Sequence, residues 1–219
     1  MIRALVIGTE HRVAAAVAAE FRASGFDVSD QSSAPASRDQ SAAAVIAEVS
    51  RMGGLDALVV ASWTKAAASP RRIDDIDDDC FGQIWEHGVL GLLWALQAAI
   101  PALRDSGGSV VVLLPTIALT GGSHYAAASA MFEAQRVMVK AAARQLGPDR
   151  IRVNAVTIAP ELVLDDAPAS DVHYLAPAAI SEDQQPGDVA SLVRFLVGPD
   201  GQHLTGQSIA VDGGRWLAP

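Results

Sequence analysis

The sequence has one cysteine, few aromatic residues and an excess of acidic over basic residues. Because Cys80 is the single cysteine among 219 residues, neither an internal disulfide nor a cysteine zinc site can form. Only 5% of the residues are aromatic, and 16 lysines and arginines against 25 aspartates and glutamates give a net charge of −9. An acidic protein repels phosphate backbones and anionic lipids. We therefore expect neither nucleic acid nor a membrane as a partner.

Several other patterns are missing as well. No apolar run has the length of a membrane-spanning helix, and no signal-peptide pattern is present. A reduced, cytoplasmic environment is the expectation. The sequence has no histidine pair at metal-ligand spacing and no Gly-x-Ser-x-Gly motif, so we expect no metal site and no serine nucleophile of that type.

Apolar strand-like runs alternate with helical patterns along the chain. This alternation predicts an α/β fold, a single doubly wound Rossmann-like parallel sheet with helices on both faces and ligands at the carboxyl ends of its strands. We expect one domain over residues 1–219, in which residues 161–187 form a polar excursion for the substrate. Strands are predicted at 4–7, 26–29, 55–61, 109–114 and 151–158, and helices at 13–23, 41–52, 81–103 and 127–146, before a closing helix and strand.

The connection between the second and third predicted strands is short. Only residues 30–54 are available for it. One helix fits a crossover of this length, whereas two helices and an additional strand do not. The sheet is therefore expected to be shortened on this side.

The C-terminal region has a recognisable order of segments. An amphipathic stretch opens with Asp188-Val189-Ala190, and it is followed by Leu204-Thr205-Gly206-Gln207 and Val211-Asp212-Gly213-Gly214. Together with the strand at 151–156, this order resembles the closing signature of the short-chain dehydrogenase/reductase superfamily. The resemblance covers nearly the whole chain and implies an NAD(P) site and a Ser-Tyr-Lys catalytic set.

The cofactor-binding positions implied by the resemblance are altered. Of the glycine-rich phosphate loop only Gly8 remains, with Arg12 and Ala14 at the later glycines and the negative Glu10 beside the phosphate position. Asp30 follows the second strand, where the family has an acidic ribose ligand. Gly8 and Asp30 are the candidate cofactor residues. The losses around them predict that no cofactor is used, and NAD(P) is the alternative.

The catalytic positions are altered too. Thr116 takes the place of the family's serine and keeps a hydroxyl. An ungapped alignment places Ala128 and Phe132 at the tyrosine and lysine, but Tyr125 and Phe132 reproduce the wider spacing of the enoyl-acyl carrier protein reductases. Without the lysine, the Tyr125 phenol stays protonated at neutral pH and donates a hydrogen bond rather than acting as a base. Thr116 and Tyr125 are the candidate catalytic residues.

Other side chains are expected at the mouth of the same pocket. Trp63 stands in the turn where the family has Asn-Asn-Ala-Gly, and Gly88 takes the position of the helix asparagine. The halohydrin dehalogenases share this fold but need an arginine four residues after the tyrosine, where this chain has Ser129. That activity is therefore disfavoured. The candidate substrate-binding residues are Trp63, His124 and Glu161, with His173 and Tyr174 as further possibilities.

Three functions are compatible with these observations. The favoured one is non-redox chemistry on, or binding of, a small and mostly apolar carbonyl or hydroxy compound, with hydride transfer lost. The alternatives are an NAD(P)-dependent oxidoreductase with an atypical proton donor and an inactive subunit that pairs with an active relative. The resemblance also implies a homodimer or homotetramer through helices 81–103 and 127–146.

Overall fold

The computed structural model describes residues 1–32, 37–164, 178–180 and 184–217. In these residues one parallel sheet has the strand order β2-β1-β3-β4-β5-β6. Because the order reverses between β1 and β3, the sheet is doubly wound. The predicted fold class is confirmed. The strands are β1 (Arg3–Ile7), β2 (Asp27–Gln31), β3 (Ala57–Val60), β4 (Ser109–Pro115), β5 (Arg152–Ile158) and β6 (Ser208–Val211).

Helices cover both faces of the sheet. Helices α1 and α8 pack together on one face, and α2, α5 and α7 lie on the other. The α-helices are α1 (Arg12–Ala23), α2 (Arg38–Met52), α3 (Lys65–Ala68), α4 (Asp78–Trp85), α5 (Gly91–Ser106), α6 (Ile117–Thr120), α7 (Ala126–Leu146) and α8 (Pro186–Val197). Short 3-10 helices span Ile73–Asp75, Gly147–Asp149, Pro160–Leu162 and Pro199–Gly201.

The core lies on both sides of the central strands. All seven residues of β4 are buried, as are all four residues of β3. A parallel sheet covered by helices buries both faces of each strand, so its strands are continuous apolar runs rather than alternating ones. This explains why these two strands could be recognised in the sequence.

A single helix, α2, connects β2 to β3. The Ser37 hydroxyl accepts a hydrogen bond from the backbone N–H of Gln40 at 3.3 Å, so the helix begins at Arg38, before the predicted start at Ser41. Gly53, at φ +72°, ends it. Strand β2 pairs only with β1 in the described sheet. The predicted shortening of the sheet is confirmed.

The long helix predicted at 81–103 is longer and interrupted. Asp77 accepts a hydrogen bond from the Cys80 N–H at 2.7 Å and so begins α4 at Asp78. A π-helical turn at Glu86–Leu90 separates α4 from α5, which extends to Ser106. The π turn contains Gly88. Such turns are frequent at functional sites.

Part of the predicted substrate excursion at 161–187 lies outside the described residues, including His173 and Tyr174. Within the described ranges, no helix is both long enough and apolar enough to cross a membrane. The same ranges contain no group of three histidine, cysteine, aspartate or glutamate side chains that is placed to hold a metal ion.

Candidate functional site

The candidate residues lie where loops leave the carboxyl ends of the strands. This edge is the usual ligand site of doubly wound sheets. Tyr125 and His124 immediately precede α7. The others lie at the ends of successive strands: Gly8 after β1, Asp30 in β2, Trp63 after β3, Thr116 after β4 and Glu161 after β5.

Gly8 makes the turn from β1 into α1. Its φ is +94°, and a Cβ atom there would lie 2.0 Å from the carbonyl oxygen of Ala61. The carbonyl of Gly8 accepts a hydrogen bond from the N–H of His11 at 2.9 Å. The His11 side chain does not cap α1, and the first turn of this helix has no acidic residue. The turn therefore keeps the backbone shape and the positive helix end that suit a bound anion.

An aromatic stack of His11, Trp63 and Phe132 lies beside this turn. The His11 and Trp63 rings are stacked with centroids 4.1 Å apart, and Trp63 meets Phe132 edge-on at 5.9 Å. Trp63 is only 2% exposed. His11 Nε2 also lies 3.4 Å from the carboxylate of Glu10, whose pKa is raised by burial. The stack fills the space between the first turn and α7 with side chains.

Arg12 ties the first turn to the segment after β5. Its guanidinium donates a hydrogen bond to the backbone carbonyl of Glu161. The carboxylate of Glu161 in turn lies 2.8 Å from the guanidinium of Arg215, near the C-terminal end of the described chain. Glu161 is therefore a cross-link between three segments of the site.

Asp30 lies at the edge of the sheet. Its carboxylate forms an ion pair with Arg22 of α1, and the Thr9 hydroxyl lies 3.4 Å from it. The carboxylate thus already has a cationic partner on the neighbouring helix. Its role toward a ribose stays a prediction.

Thr116 is fully buried at the end of β4. Its hydroxyl lies 2.9 Å from the carbonyl oxygen of Ile158 and 3.2 Å from the carboxylate of Asp212, and its single proton can serve one of them at a time. Asp212 is 3% exposed and accepts hydrogen bonds from the N–H groups of Gly214 at 3.0 Å and Trp216 at 3.1 Å. The sequence signature contained Asp212, but its contact with Thr116 was not foreseen.

Tyr125 is 2% exposed at the start of α7. The preceding His124 has φ +62°, a strained conformation for a residue with a side chain. Its carbonyl accepts a hydrogen bond from the N–H of Arg71 at 2.7 Å, and its Nδ1 lies 3.3 Å from the Ser123 hydroxyl. The loop before Tyr125 is therefore held against residues that follow α3.

Gln135 connects the turn after β3 to the π turn, and it was not predicted. Its buried amide nitrogen donates to the carbonyls of Ser62 at 2.9 Å and Gly88 at 2.8 Å. A Cβ atom at Gly88 would lie 2.4 Å from the sulfur of Met131. The position of the family's asparagine is therefore filled from α7, by Met131. The sequence signal for Gln135 is that it is the polar residue in the otherwise apolar, buried face of α7.

The comparisons with known proteins agree on the family. The family described as Enoyl-(Acyl carrier protein) reductase matches residues 5–215. The crystal structure of a 3-ketoacyl-(acyl-carrier-protein) reductase from Brucella melitensis, complexed with NADH, superposes with a TM-score of 0.84. It covers 98% of both chains at 21% identity, which shows the shared fold.

Three curated relatives are named dehydrogenases. They are the trans-4-hydroxycyclohexanecarboxylate dehydrogenase of Sinomonas cyclohexanicum (30% identity), the 4-formylbenzenesulfonate dehydrogenase of Comamonas testosteroni (28%) and the 7alpha-hydroxysteroid dehydrogenase of Bacteroides fragilis (31%). The matches include 79%, 79% and 67% of this chain, and 65%, 71% and 60% of the respective relatives. The chain thus spans about two thirds of the length of these relatives.

Two expectations from the sequence are wrong. The relatives named above are dehydrogenases, and dehydrogenation needs an acceptor for the hydride, so the prediction of non-redox chemistry is overturned. The prediction that no cofactor takes part fails for the same reason, and the Brucella melitensis protein with the same fold was crystallised with NADH. The fold and the closing signature of the family are retained although several motif residues are replaced. The chain belongs to the short-chain dehydrogenase/reductase family, in the branch described as Enoyl-(Acyl carrier protein) reductase.

Proposed function

We propose that the protein is an NAD(P)-dependent oxidoreductase that interconverts a small carbonyl compound and the corresponding alcohol. The observation that carries the proposal is the family match over residues 5–215, which includes the turn at Gly8 and the ends of β4 and α7. Activity, substrate and partners are all proposals, because the chain spans only part of its relatives' length.

The pyrophosphate end of a dinucleotide fits the turn at Gly8. The α1 N-terminus has no acidic residue in its first turn, and Arg12 brings a positive charge to it. Burial raises the pKa of the neighbouring Glu10, whose carboxylate lies 3.4 Å from Nε2 of His11. Gly8 and the first turn of α1 would hold the pyrophosphate.

The nicotinamide end fits less simply. By the family resemblance it belongs beside the turn after β3, where Trp63 stacks on His11. We propose that the stack rearranges when the cofactor enters, so that the indole borders the nicotinamide ring. The bound cofactor would supply or accept the hydride. The chain's own residues would orient the carbonyl and handle the proton.

Thr116 and Tyr125 are the groups proposed to act on the carbonyl. Tyr125 carries a phenol at the start of α7, and we propose that it donates a proton to a carbonyl oxygen that gains negative charge. Thr116 keeps its hydroxyl at the end of β4, fixed by the carbonyl of Ile158 and by Asp212.

The relatives suggest where a substrate search should begin. Their names contain a cyclohexane ring, a benzene ring and a steroid, each with a hydroxyl or formyl group. We propose a ring-containing carbonyl compound as the substrate. The first panel of test substrates would contain 4-oxocyclohexanecarboxylate, its methyl ester and cyclohexanone.

Thermal shift with NADH and NADPH tests the cofactor assignment. A ligand at about 100 times its dissociation constant adds about 2.7 kcal/mol to the free energy of unfolding, so millimolar cofactor should raise the melting temperature clearly. AMP and inorganic phosphate at the same ionic strength are the controls. No shift with either dinucleotide, together with no turnover of the panel, would contradict the proposal.

A homo-oligomer through the long helices is a second part of the proposal. Three apolar residues on these helices are more than a third exposed: Phe81 at 41%, Trp85 at 38% and Val137 at 51%. The Phe81 and Trp85 rings stack with centroids 6.1 Å apart. Burial of this apolar surface against a second copy would explain its exposure in one chain. Sedimentation of the wild type and of Trp85→Glu tests it, and a wild-type monomer would contradict it. A cytoplasmic location also stays a proposal.

A further inference from the structure

A cleft of about 230 Å³ lies between the segment after α3 and the start of α7. Its lining includes Arg71, Ser123, His124 and Ala126. A second, very small cavity of about 10 Å³ is bordered by Arg71, His124 and Tyr125 together. The cleft therefore adjoins the candidate proton donor, although it is separate from the dinucleotide turn at Gly8.

Two adjacent arginines, Arg71 and Arg72, line this cleft, and they differ in whether a carboxylate pairs with them. Arg72 forms a two-point ion pair with Asp74, with N···O distances of 2.9 and 3.0 Å. The exposed guanidinium of Arg71 has no carboxylate partner among the described residues. Because the Arg72–Asp74 pair is neutral overall, Arg71 gives the described lining of the cleft a net positive charge, in a protein whose net charge is −9.

The backbone of Arg71 is held by a hydrogen bond. The N–H of Arg71 donates a hydrogen bond to the carbonyl of His124 at 2.7 Å. This bond holds Arg71 beside the residue that immediately precedes Tyr125. Helix α7 begins at Ala126 without an acidic residue in its first turn, so its N-terminal dipole adds to the positive potential. Among the carboxylates that follow Asp74, those of Asp77 and Asp78 line a different groove with Phe81, and Asp75 is not part of the lining of the cleft.

From this arrangement we infer that Arg71 recognises an anionic group on the substrate, a carboxylate or a sulfonate, while the carbonyl lies toward Tyr125. A guanidinium offers donors in a planar fork that matches such an oxyanion. The inference rests on the proposed function, since it assigns a substrate class to the same site. It also makes Arg71, rather than Arg72, the residue that determines specificity.

The test compares a charged and an uncharged probe of the same ring. Reduction of 4-oxocyclohexanecarboxylate and of its methyl ester would be measured with wild type, Arg71→Gln, Arg71→Lys and Arg144→Gln. We expect Arg71→Gln to raise KM for the carboxylate about ten-fold or more and to leave the ester unchanged, because a charge-assisted contact is lost. The KM of Arg71→Lys for the carboxylate should lie between those of the wild type and Arg71→Gln. Arg144→Gln, at an exposed arginine in the last turn of α7, should match the wild type. Equal changes for acid and ester, or none, would overturn the inference.

A binding measurement separates this inference from the proposed function. Calorimetry would titrate 4-oxocyclohexanecarboxylate into each protein without cofactor, after melting curves have shown that the variants are folded. If no probe is turned over but the carboxylate binds wild type and not Arg71→Gln, the oxidoreductase proposal fails and the anion site stands. If the carboxylate binds wild type and Arg71→Gln equally, or binds neither, the anion site is refuted whatever the activity.

Discussion

The Thr116 hydroxyl lies 3.2 Å from the carboxylate of Asp212, a residue 96 positions further along the chain. The contact joins the end of β4 to the turn that follows β6. Asp212 is nearly fully buried, and backbone N–H groups of that turn also donate to it. The pair thus connects the candidate catalytic hydroxyl to the closing signature of the family.

Replacement of Thr116 by valine should lower both stability and activity. The variant keeps the shape of the side chain but leaves two buried acceptors with one donor fewer, which costs about 1–2 kcal/mol in the free energy of unfolding. Thr116→Ser retains the hydroxyl and should stay close to the wild type. Urea unfolding and kcat/KM would be measured for both. A valine variant as stable and as active as the serine variant would show that the hydroxyl has no role.

Tyr125→Phe should reduce the rate of carbonyl reduction about 100-fold or more, because the proton donor is removed. The dissociation constant of the cofactor should not change, since the ring is retained. Steady-state kinetics with the ketones and a cofactor titration of both proteins check this. Full activity in Tyr125→Phe would exclude the phenol as the donor.

Cofactor binding should change the fluorescence of Trp63. The indole is buried against His11 at a centroid distance of 4.1 Å, and we propose that this stack moves. Titration of wild type with NADH or NADPH should alter tryptophan emission, and Trp63→Phe should lose most of that change. Trp94→Phe, at a tryptophan on α5, is the matched control and should keep the signal. An identical response in all three proteins would mean that the stack does not respond to the cofactor.

A side chain at Gly88 should be tolerated only if Met131 is made smaller. A Cβ atom there would lie 2.4 Å from the Met131 sulfur and 2.5 Å from its Cγ, and Met131 is fully buried. Gly88→Ala should therefore lower the free energy of unfolding by about 1–3 kcal/mol through overpacking. In a Met131→Ala background the same substitution should cost less. Chemical unfolding of the double-mutant cycle measures the coupling, and strict additivity would rule out the predicted clash.

The ion pair of Arg3 and Asp56 should make stability depend on acid pH. Hydrogen bonds from Arg3 hold the pKa of Asp56 below its ordinary value, and the guanidinium lies 2.8 Å from the carboxylate. A lowered pKa in the folded state stabilises the fold above the unfolded-state pKa of about 3.9, and this stability is lost as pH falls through the folded-state pKa. Asp56→Asn should lose about 1 kcal/mol at neutral pH and have a flatter stability profile below about pH 5. Parallel profiles for the two proteins would contradict this.

The sheet and its helices could be predicted because burial leaves a clear pattern. Strand β4 contains an unbroken apolar run at 110–114, and the crossover between β2 and β3 is too short for more than one helix. Helix ends were less accurate. The caps at Ser37 and Asp77 start α2 and α4 earlier than predicted, because a side chain that accepts one N–H bond has little effect on apolar periodicity.

The candidate site could be predicted only as a set of positions. The sequence located Thr116 and Trp63 at strand ends, but not the partners that fix them. Asp212 reaches Thr116 from another strand, and His11 stacks on Trp63 from the first turn. Such contacts depend on the placement of loops in space. The prediction that hydride transfer is lost was wrong for a related reason. The absence of motif residues does not by itself show that the reaction is absent.

Deuteride transfer tests the central claim most directly. The protein would be incubated with NADPH or NADH that carries two deuterium atoms at C4 of the nicotinamide, and with 4-oxocyclohexanecarboxylate, its methyl ester or cyclohexanone. The alcohol products would be analysed by mass spectrometry. The account predicts a product that carries one deuterium on the carbinol carbon with wild type and far less of it with Tyr125→Phe. Absence of any deuterated alcohol with both cofactors and all three ketones, from protein shown to be folded, would contradict it.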